Sequence, residues 1–382
     1  MKVLYISGMY PTPTYPQKGI FCHEQVKALK RIGVEVDVIV PMTIYDKEYT
    51  TKNWIYEGVS IRYIKYFKFP GTRCFEKIGI YLYYALMYSK IDFSQYDVIH
   101  ADAPLPAGDA VRRISKKYGI PYVIHGHGLD VFLEESYSDA KNCEKIINTC
   151  VNVYTKCSAI IGVSEKVLDK IQEKVDISNK KYVVYNGVDI EKFFPVQKHN
   201  KKIEVLTVGN LIWLKGHEYT IRAIKLLNEK YPDKFSLTII GRGPLENKLK
   251  ELVADSDIAS IVKFIGYIPY DCVKEYMQNA DIFVLPSFYE ALGCVYLEAM
   301  SCGIPTIGCL NNGIDEVITN NVDGFLIHNK NVDELVEYLE VLSEPKERIR
   351  IGKNARKKIE KNYTWINSAQ ELVYVYKQIL QR

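Results

Sequence analysis

No apolar run in this 382-residue chain reaches the ~18 residues that a membrane-crossing helix needs. The opening MKVLYISGMYP has too short an apolar segment for a signal peptide and reads as a first strand. The nine cysteines contain no C-x-x-C pair, so neither a zinc ribbon nor a redox dithiol is predicted. Cys143, Cys150 and Cys157 recur every seven residues, which favours one buried helix stripe over a metal cage. A reducing cytosol is the expected setting. No G-x-G-x-x-G follows the first strand, which counts against a nicotinamide or flavin enzyme. No D-x-D sits at a strand end, so nothing requires a metal, and no cofactor is expected. A nucleophile–base pair of the serine or cysteine hydrolase kind is also missing.

What is present is ordinary for a globular protein: 25% charged and 47% hydrophobic residues. The formal charge of +4 is too mild to imply nucleic acid. The length exceeds one ordinary core and suits two domains. Strand-like runs Val3–Ile6, Val34–Val40, Val98–His100, Tyr122–His125 and Ala159–Val163 alternate with helical stretches, as do Ile203–Val208, Phe235–Ile240, Val262–Ile265, Ile282–Leu285, Ile304–Ile307 and Phe325–Ile327. Alternation of this kind predicts βαβ units and parallel sheets with covered faces. The polar stretch VQKHNKK at 196–202 is the predicted linker, with the boundary at 195–202.

In such sheets ligands collect at the carboxyl ends of the strands, so the loops there carry the chemistry. The first, Ser7 to Gly19, is held extended by prolines, and Gly19 permits a tight entry into the next helix. The turn Ile124-His-Gly-His-Gly-Leu-Asp130 places two histidines and two glycines at a strand end, a composition that suggests a polar site rather than core. A metal there would need further ligands, and none is nearby in sequence. Between these loops, residues 62–90 carry six basic residues, one acid and nine Tyr or Phe. Such a segment, within 54–90, suits an anionic membrane surface; a solvated face with inward tyrosines explains it equally well.

In the second half, GNLIWLKG at 209–216 puts Lys215 beside a glycine at a strand-to-helix turn, where a lysine can hold a diphosphate as a point charge. Ile240-Gly-Arg-Gly-Pro-Leu-Glu246 is a poor cofactor fingerprint because of Pro244 and the missing third glycine. The stretch SFYEALGCVYLEAMSC, 287–302, follows an apolar strand and carries Glu290 and Glu298 eight residues apart, with Gly293 between. With Glu290 at the helix entry, the pair is separated by roughly 12 Å along the axis, about the reach from ribose to hexose in a nucleotide sugar. First-turn amides near Ala291, Leu292, Gly293 and Cys294 would face the phosphates. A core helix whose first acid is merely a cap is the plainer alternative.

SFYEALGCVYLEAMSCGIPTIG resembles the E-x7-E signature of the retaining family 4 glycosyltransferases of the GT-B fold. Flanking motifs in order, from KGIF to DGFLI, extend the resemblance over nearly the whole chain. It implies an α/β architecture of two Rossmann-like parallel-sheet domains facing across a cleft. The N-terminal one (1–195) would bind the acceptor and the C-terminal one (203–364) the nucleotide-diphosphate sugar, with the last helix (365–382) crossing back. Residue by residue, it implies that Gly19 lies near the donor phosphates and acceptor. In the match to H-G-x-D, His127 contacts the donor sugar or an acceptor hydroxyl near the reacting carbon, and Asp130 is an acceptor-side candidate. Lys215 meets the leaving diphosphate, and Glu290 and Glu298 hold the transferred sugar and the ribose. Gly313 resembles the glycine near the donor sugar. The family's phosphate-binding arginine is replaced by Asn210, for which Arg242 is the substitute on offer.

The expected activity is therefore transfer of a hexose, from a UDP-sugar by this resemblance, to a saccharide or lipid-linked acceptor in bacterial surface polysaccharide synthesis. The opening MYPTPTYPQKGIFCHEQVKAL is similar to members that build teichuronic acid, capsule or exopolysaccharide. A sugar-nucleotide epimerase of the same shape and a non-catalytic sugar-binding protein are the rival readings.

Overall fold

The computed structural model describes residues 1–46, 53–69, 75–128, 131, 140–197 and 200–381. It divides into two compact units, one formed by 1–186 with 365–382 and the other by 187–364.

The sheet of the first unit has eight strands: β1 (Lys2–Ile6), β2 (Glu35–Thr43), β3 (Trp54–Tyr56), β4 (Val59–Tyr66), β5 (Val98–Asp102), β6 (Tyr122–Gly126), β7 (Ala159–Gly162) and β8 (Lys181–Val183), in the spatial order β3-β4-β2-β1-β5-β6-β7-β8. All neighbours are parallel except the β3–β4 hairpin. The central strands are buried on both faces, which is why they read as near-continuous apolar runs. One face is covered by helices Ile20–Arg31 and Trp365–Leu380. Val26, Leu29, Leu372, Val375 and Tyr376 pack there against Val3, Tyr5, Val98 and Val123.

The second unit contains β9 (Ile203–Val208), β10 (Phe235–Ile240), β11 (Val262–Gly266), β12 (Ile282–Val284), β13 (Thr306–Cys309) and β14 (Phe325–Ile327), an all-parallel sheet in the order β11-β10-β9-β12-β13-β14. Its core joins Val205, Leu237, Ile239, Ile282 and Ile307 to helix residues Ile224, Leu227, Leu335 and Ile351.

One expectation needs correction. The boundary lies between 186 and 187 rather than at 195–202. Residues 187–195 are anchored in the second unit: Val188 N donates to Tyr363 O, and Arg356 donates to the carbonyl of Phe193, whose ring is fully buried. A polar run marks solvent exposure, and here Gln197, Asn200 and Lys201 are exposed inside a domain. The described part of 54–90 mixes buried and exposed side chains. Its start folds into the β3–β4 hairpin around Glu57-Gly58, both at positive φ, and turns Val59, Ile61, Ile64 and Tyr66 inward.

Candidate functional site

Each sheet reverses its strand order once, and loops on either side of such a reversal part to leave room for a ligand. In the second unit the reversal falls between β9 and β12, so the loops concerned are 209–216 and 285–293. They are stitched together by Phe288 N donating to Leu214 O at 2.8 Å. Gly216 sits at φ +66°, and a Cβ there would lie 2.1 Å from Pro286 O; only glycine allows this approach. Across the seam Lys215 Nζ and a Glu290 carboxylate oxygen form an ion pair, with both side chains largely buried.

The loop after β13 holds Glu290 from the other side. Glu290 N donates to Asn312 Oδ1 at 2.9 Å, Asn312 Nδ2 donates to Ser287 O at 3.0 Å, and Gly313 N donates to Glu290 O at 2.9 Å. A Cβ on Gly313 would stand 1.7 Å from Ala291 O. The acid–base pair is thus fixed by backbone from three strand ends.

Glu290 does not stand at the helix entry. The helix is Cys294–Ser301, capped by Gly293 at φ +79°, a conformation that breaks the helix one residue before Cys294. The axial spacing of roughly 12 Å therefore does not describe the pair, because only Glu298 is helical. Ala291 and Leu292 also precede the helix, and their side chains are buried. Glu298 accepts from Tyr270 Oη at 3.0 Å. Burial pushes its pKa up to about 7, against the Tyr270 hydrogen bond and the Lys192 charge, which pull it down. Lys192 Nζ rests 3.9 Å from the centre of the Tyr270 ring and donates to Asp271. Asn210 and Arg242 are exposed on adjoining loops. The Asn210 carbonyl faces His217 Nε2 at 3.2 Å, and the Arg242 guanidinium lies 4.6 Å from the Tyr267 ring centre.

In the first unit the reversal falls between β1 and β5. Gly19 caps the helix Ile20–Arg31 at φ +60°, where a Cβ would meet Met9 O at 2.1 Å. His127 follows β6, lies 5.0 Å from the Phe21 ring, and its Nε2 is 2.9 Å from Asp102 Oδ1. Asp102 also accepts from Tyr5 Oη at 3.0 Å. Burial would raise its pKa, but the His127 imidazole, protonated at the acid pH where a carboxyl titrates, and the His100 hydrogen bond outweigh that and hold it well below the usual carboxylate range. His125, expected in a polar site, is instead fully buried and paired to His100 at 3.3 Å. Burial first, then His127 and His100, hold its pKa well below the usual value, so it is neutral. Asp130 lies outside the described residues.

Sequence reading missed Asp102, Asn312 and Tyr270. His-Ala-Asp at the end of β5 carried a usable signal, since residues i and i+2 share a strand face. Asn312 and Tyr270 carried none. The ligands that were not visible beside His127 come from other strands: Cys22, Asp102 and His127 bring ligand atoms within 4.8 Å of one another, as do His100, Asp102 and His125. Asp102 Oδ1 and the ring nitrogens facing it are already hydrogen-bonded or ion-paired within the set, so no cation is needed to reconcile them.

Comparison with known proteins extends over both units. The family model for glycosyl transferases group 1 matches residues 189–358, and that for Glycosyltransferase Family 4 matches 19–192. A Bacillus subtilis protein assigned to teichuronic acid biosynthesis as a glycosyltransferase is 26% identical over 88% of this chain and 88% of its own. The UDP-Gal:alpha-D-GlcNAc-diphosphoundecaprenol alpha-1,3-galactosyltransferase of Escherichia coli is 28% identical over 76% of this chain and 77% of its own. Among solved structures, sucrose-phosphate synthase of Thermosynechococcus elongatus superposes with a TM-score of 0.82, covering 100% of this chain and 99% of that one at 19% identity.

Proposed function

The chain belongs to the glycosyltransferases of group 1 and family 4, with the GT-B fold, and from that premise we propose that it is a retaining hexosyltransferase using a UDP-sugar. The observation that carries this reading is the Lys215–Glu290 pair, buried between two strand-end loops and clamped by Asn312. As the bond between the sugar's anomeric carbon and the diphosphate breaks, negative charge grows on the departing oxygen. Lys215, in a partly desolvated place, stabilises that charge before any solvent reorganises. Glu290, held by this cation and by Asn312, is a hydrogen-bond acceptor for the transferred sugar and a poor nucleophile. Retention then follows a front-face route. The acceptor oxygen bonds the anomeric carbon on the side the diphosphate leaves, and its proton passes to the leaving phosphate oxygen. Glu298 accepts from the ribose hydroxyls.

The named donor and lipid-diphosphate acceptor of the E. coli relative support UDP and a lipid-linked saccharide here. The B. subtilis relative supports surface polysaccharide as the product. Tyr84 and Tyr88, four apart on the helix Ile78–Tyr88, are 64% and 89% exposed next to Lys90, a pattern suited to the inner membrane face where that acceptor resides. No helix of the described residues is long and apolar enough to cross a membrane.

The test is incubation with UDP-, GDP- and ADP-hexoses and a lipid-diphosphate saccharide, with the new linkage read by NMR. Product with the donor's anomeric configuration supports retention, and the inverted configuration overturns it. Lys215→Ala is expected to cut kcat by about 10²–10³. Epimerised donor without transfer would establish the epimerase reading instead.

A further inference from the structure

We propose that Asp102 is the positioning residue for His127, fixing its tautomer so that Nε2 carries the proton and Nδ1 presents a lone pair to a hydroxyl of the sugar substrate. This deepens the expectation, drawn from the family resemblance, that His127 contacts a sugar hydroxyl near the reacting carbon, and it rests on that reading.

An ionised carboxylate accepts hydrogen bonds and donates none. At 2.9 Å from Asp102 Oδ1, His127 Nε2 must therefore be the protonated nitrogen. In a neutral ring that leaves Nδ1 as the acceptor. The carboxylate is itself held from below. It shares Oδ1 with Tyr5 Oη at 3.0 Å and with His100 Nε2 at 3.4 Å. The Tyr5 ring stacks on His100 with centres 4.4 Å apart, and His100 Nδ1 is 2.6 Å from Tyr376 Oη on the helix Trp365–Leu380. His125 closes the arrangement from the side, its ring centre 4.2 Å from that of His127. The Oδ2 of Asp102 is buried and meets no hydrogen-bond partner among the described residues, so the carboxylate is held through the contacts at Oδ1.

The experiment is ¹⁵N NMR of the histidine-labelled protein combined with kinetics. Wild type is expected to show the proton of His127 on Nε2; a wild-type spectrum with the proton on Nδ1 overturns the proposal without any variant. In Asp102→Asn the amide can turn its N–H toward Nε2 and reverse the tautomer while preserving shape. The expected result is an Nδ1–H signal, a kcat at least about tenfold lower, the loss of one hydrogen bond to substrate, and unchanged affinity for UDP alone. If His127→Ala abolishes transfer while Asp102→Asn keeps both wild-type tautomer and kcat, Asp102 has no positioning role and the reading of His127 stands. If His127→Ala is fully active, that reading fails first.

Discussion

Glu298 is a carboxyl whose burial opposes its charge. The shift from 4.5 to about 7, at about 1.4 kcal/mol per unit, amounts to about 3 kcal/mol. Because the folded pKa lies above the unfolded one, this contribution to stability is complete below about pH 4.5 and is lost as pH rises through about 7. Buried His217, whose pKa burial lowers to about 4, works in the opposite sense over part of that range, so the wild-type curve alone does not isolate the carboxyl. The difference between wild type and Glu298→Gln does. Urea unfolding at pH 5 and pH 8 is expected to show wild type losing about 3 kcal/mol relative to the variant. Equal slopes would show that the carboxyl titrates normally. Glu290, Glu298, Lys215 and His127 were all legible as letters in the sequence. Their partners were not. Asn312 adjoins the motif glycine Gly313 but its own role was not readable, and which of 30 tyrosines meets a given glutamate is decided by tertiary packing.

Among the elements, the loops at the sheet reversal matter more than the helices that follow them. Alternating apolar runs were enough to foresee most strands and both parallel sheets, because fully covered strands are apolar throughout. The β3–β4 hairpin escaped because its aromatic and basic letters also fit a surface segment. The late start of the helix Cys294–Ser301 escaped because a run such as Glu-Ala-Leu favours helix locally, and only the geometry at Gly293 interrupts it. Gly313 makes the sharpest prediction at this scale. Its φ is ordinary, but its missing side chain is what lets the β13 loop lie on the backbone at Ala291. Gly313→Ala must push two main chains apart. It is expected to cost at least about 1–3 kcal/mol of stability, as overpacked sites do, and to remove most transfer activity by freeing Glu290. Thermal melting checks the first and a transfer assay the second. A variant of unchanged Tm and activity would mean that the loop yields freely.

At the scale of the whole molecule, the first unit is assembled from two distant stretches of sequence. Its core depends on Leu372, Val375 and Tyr376 as directly as on Val3 or Val26, and Ser368 and Gln25 are joined at 3.4 Å in the same layer. Leu372→Ala is expected to cost about 2–5 kcal/mol, and the loss should fall on the first unit. Limited proteolysis with mass-spectrometric mapping should then find new cuts within 1–186 before any within 187–364. Cuts confined to the second unit would contradict this assignment. On the ribosome, domains generally fold as they emerge. Here the earlier-made half must wait, one side of its sheet only partly covered by the helix Ile20–Arg31, until some 180 further residues have been threaded out and the closing helix arrives. A nascent chain stalled before that point presents an oily strand layer to the cell. Holdase chaperones should bind it there, and should let go once the closing helix has been made.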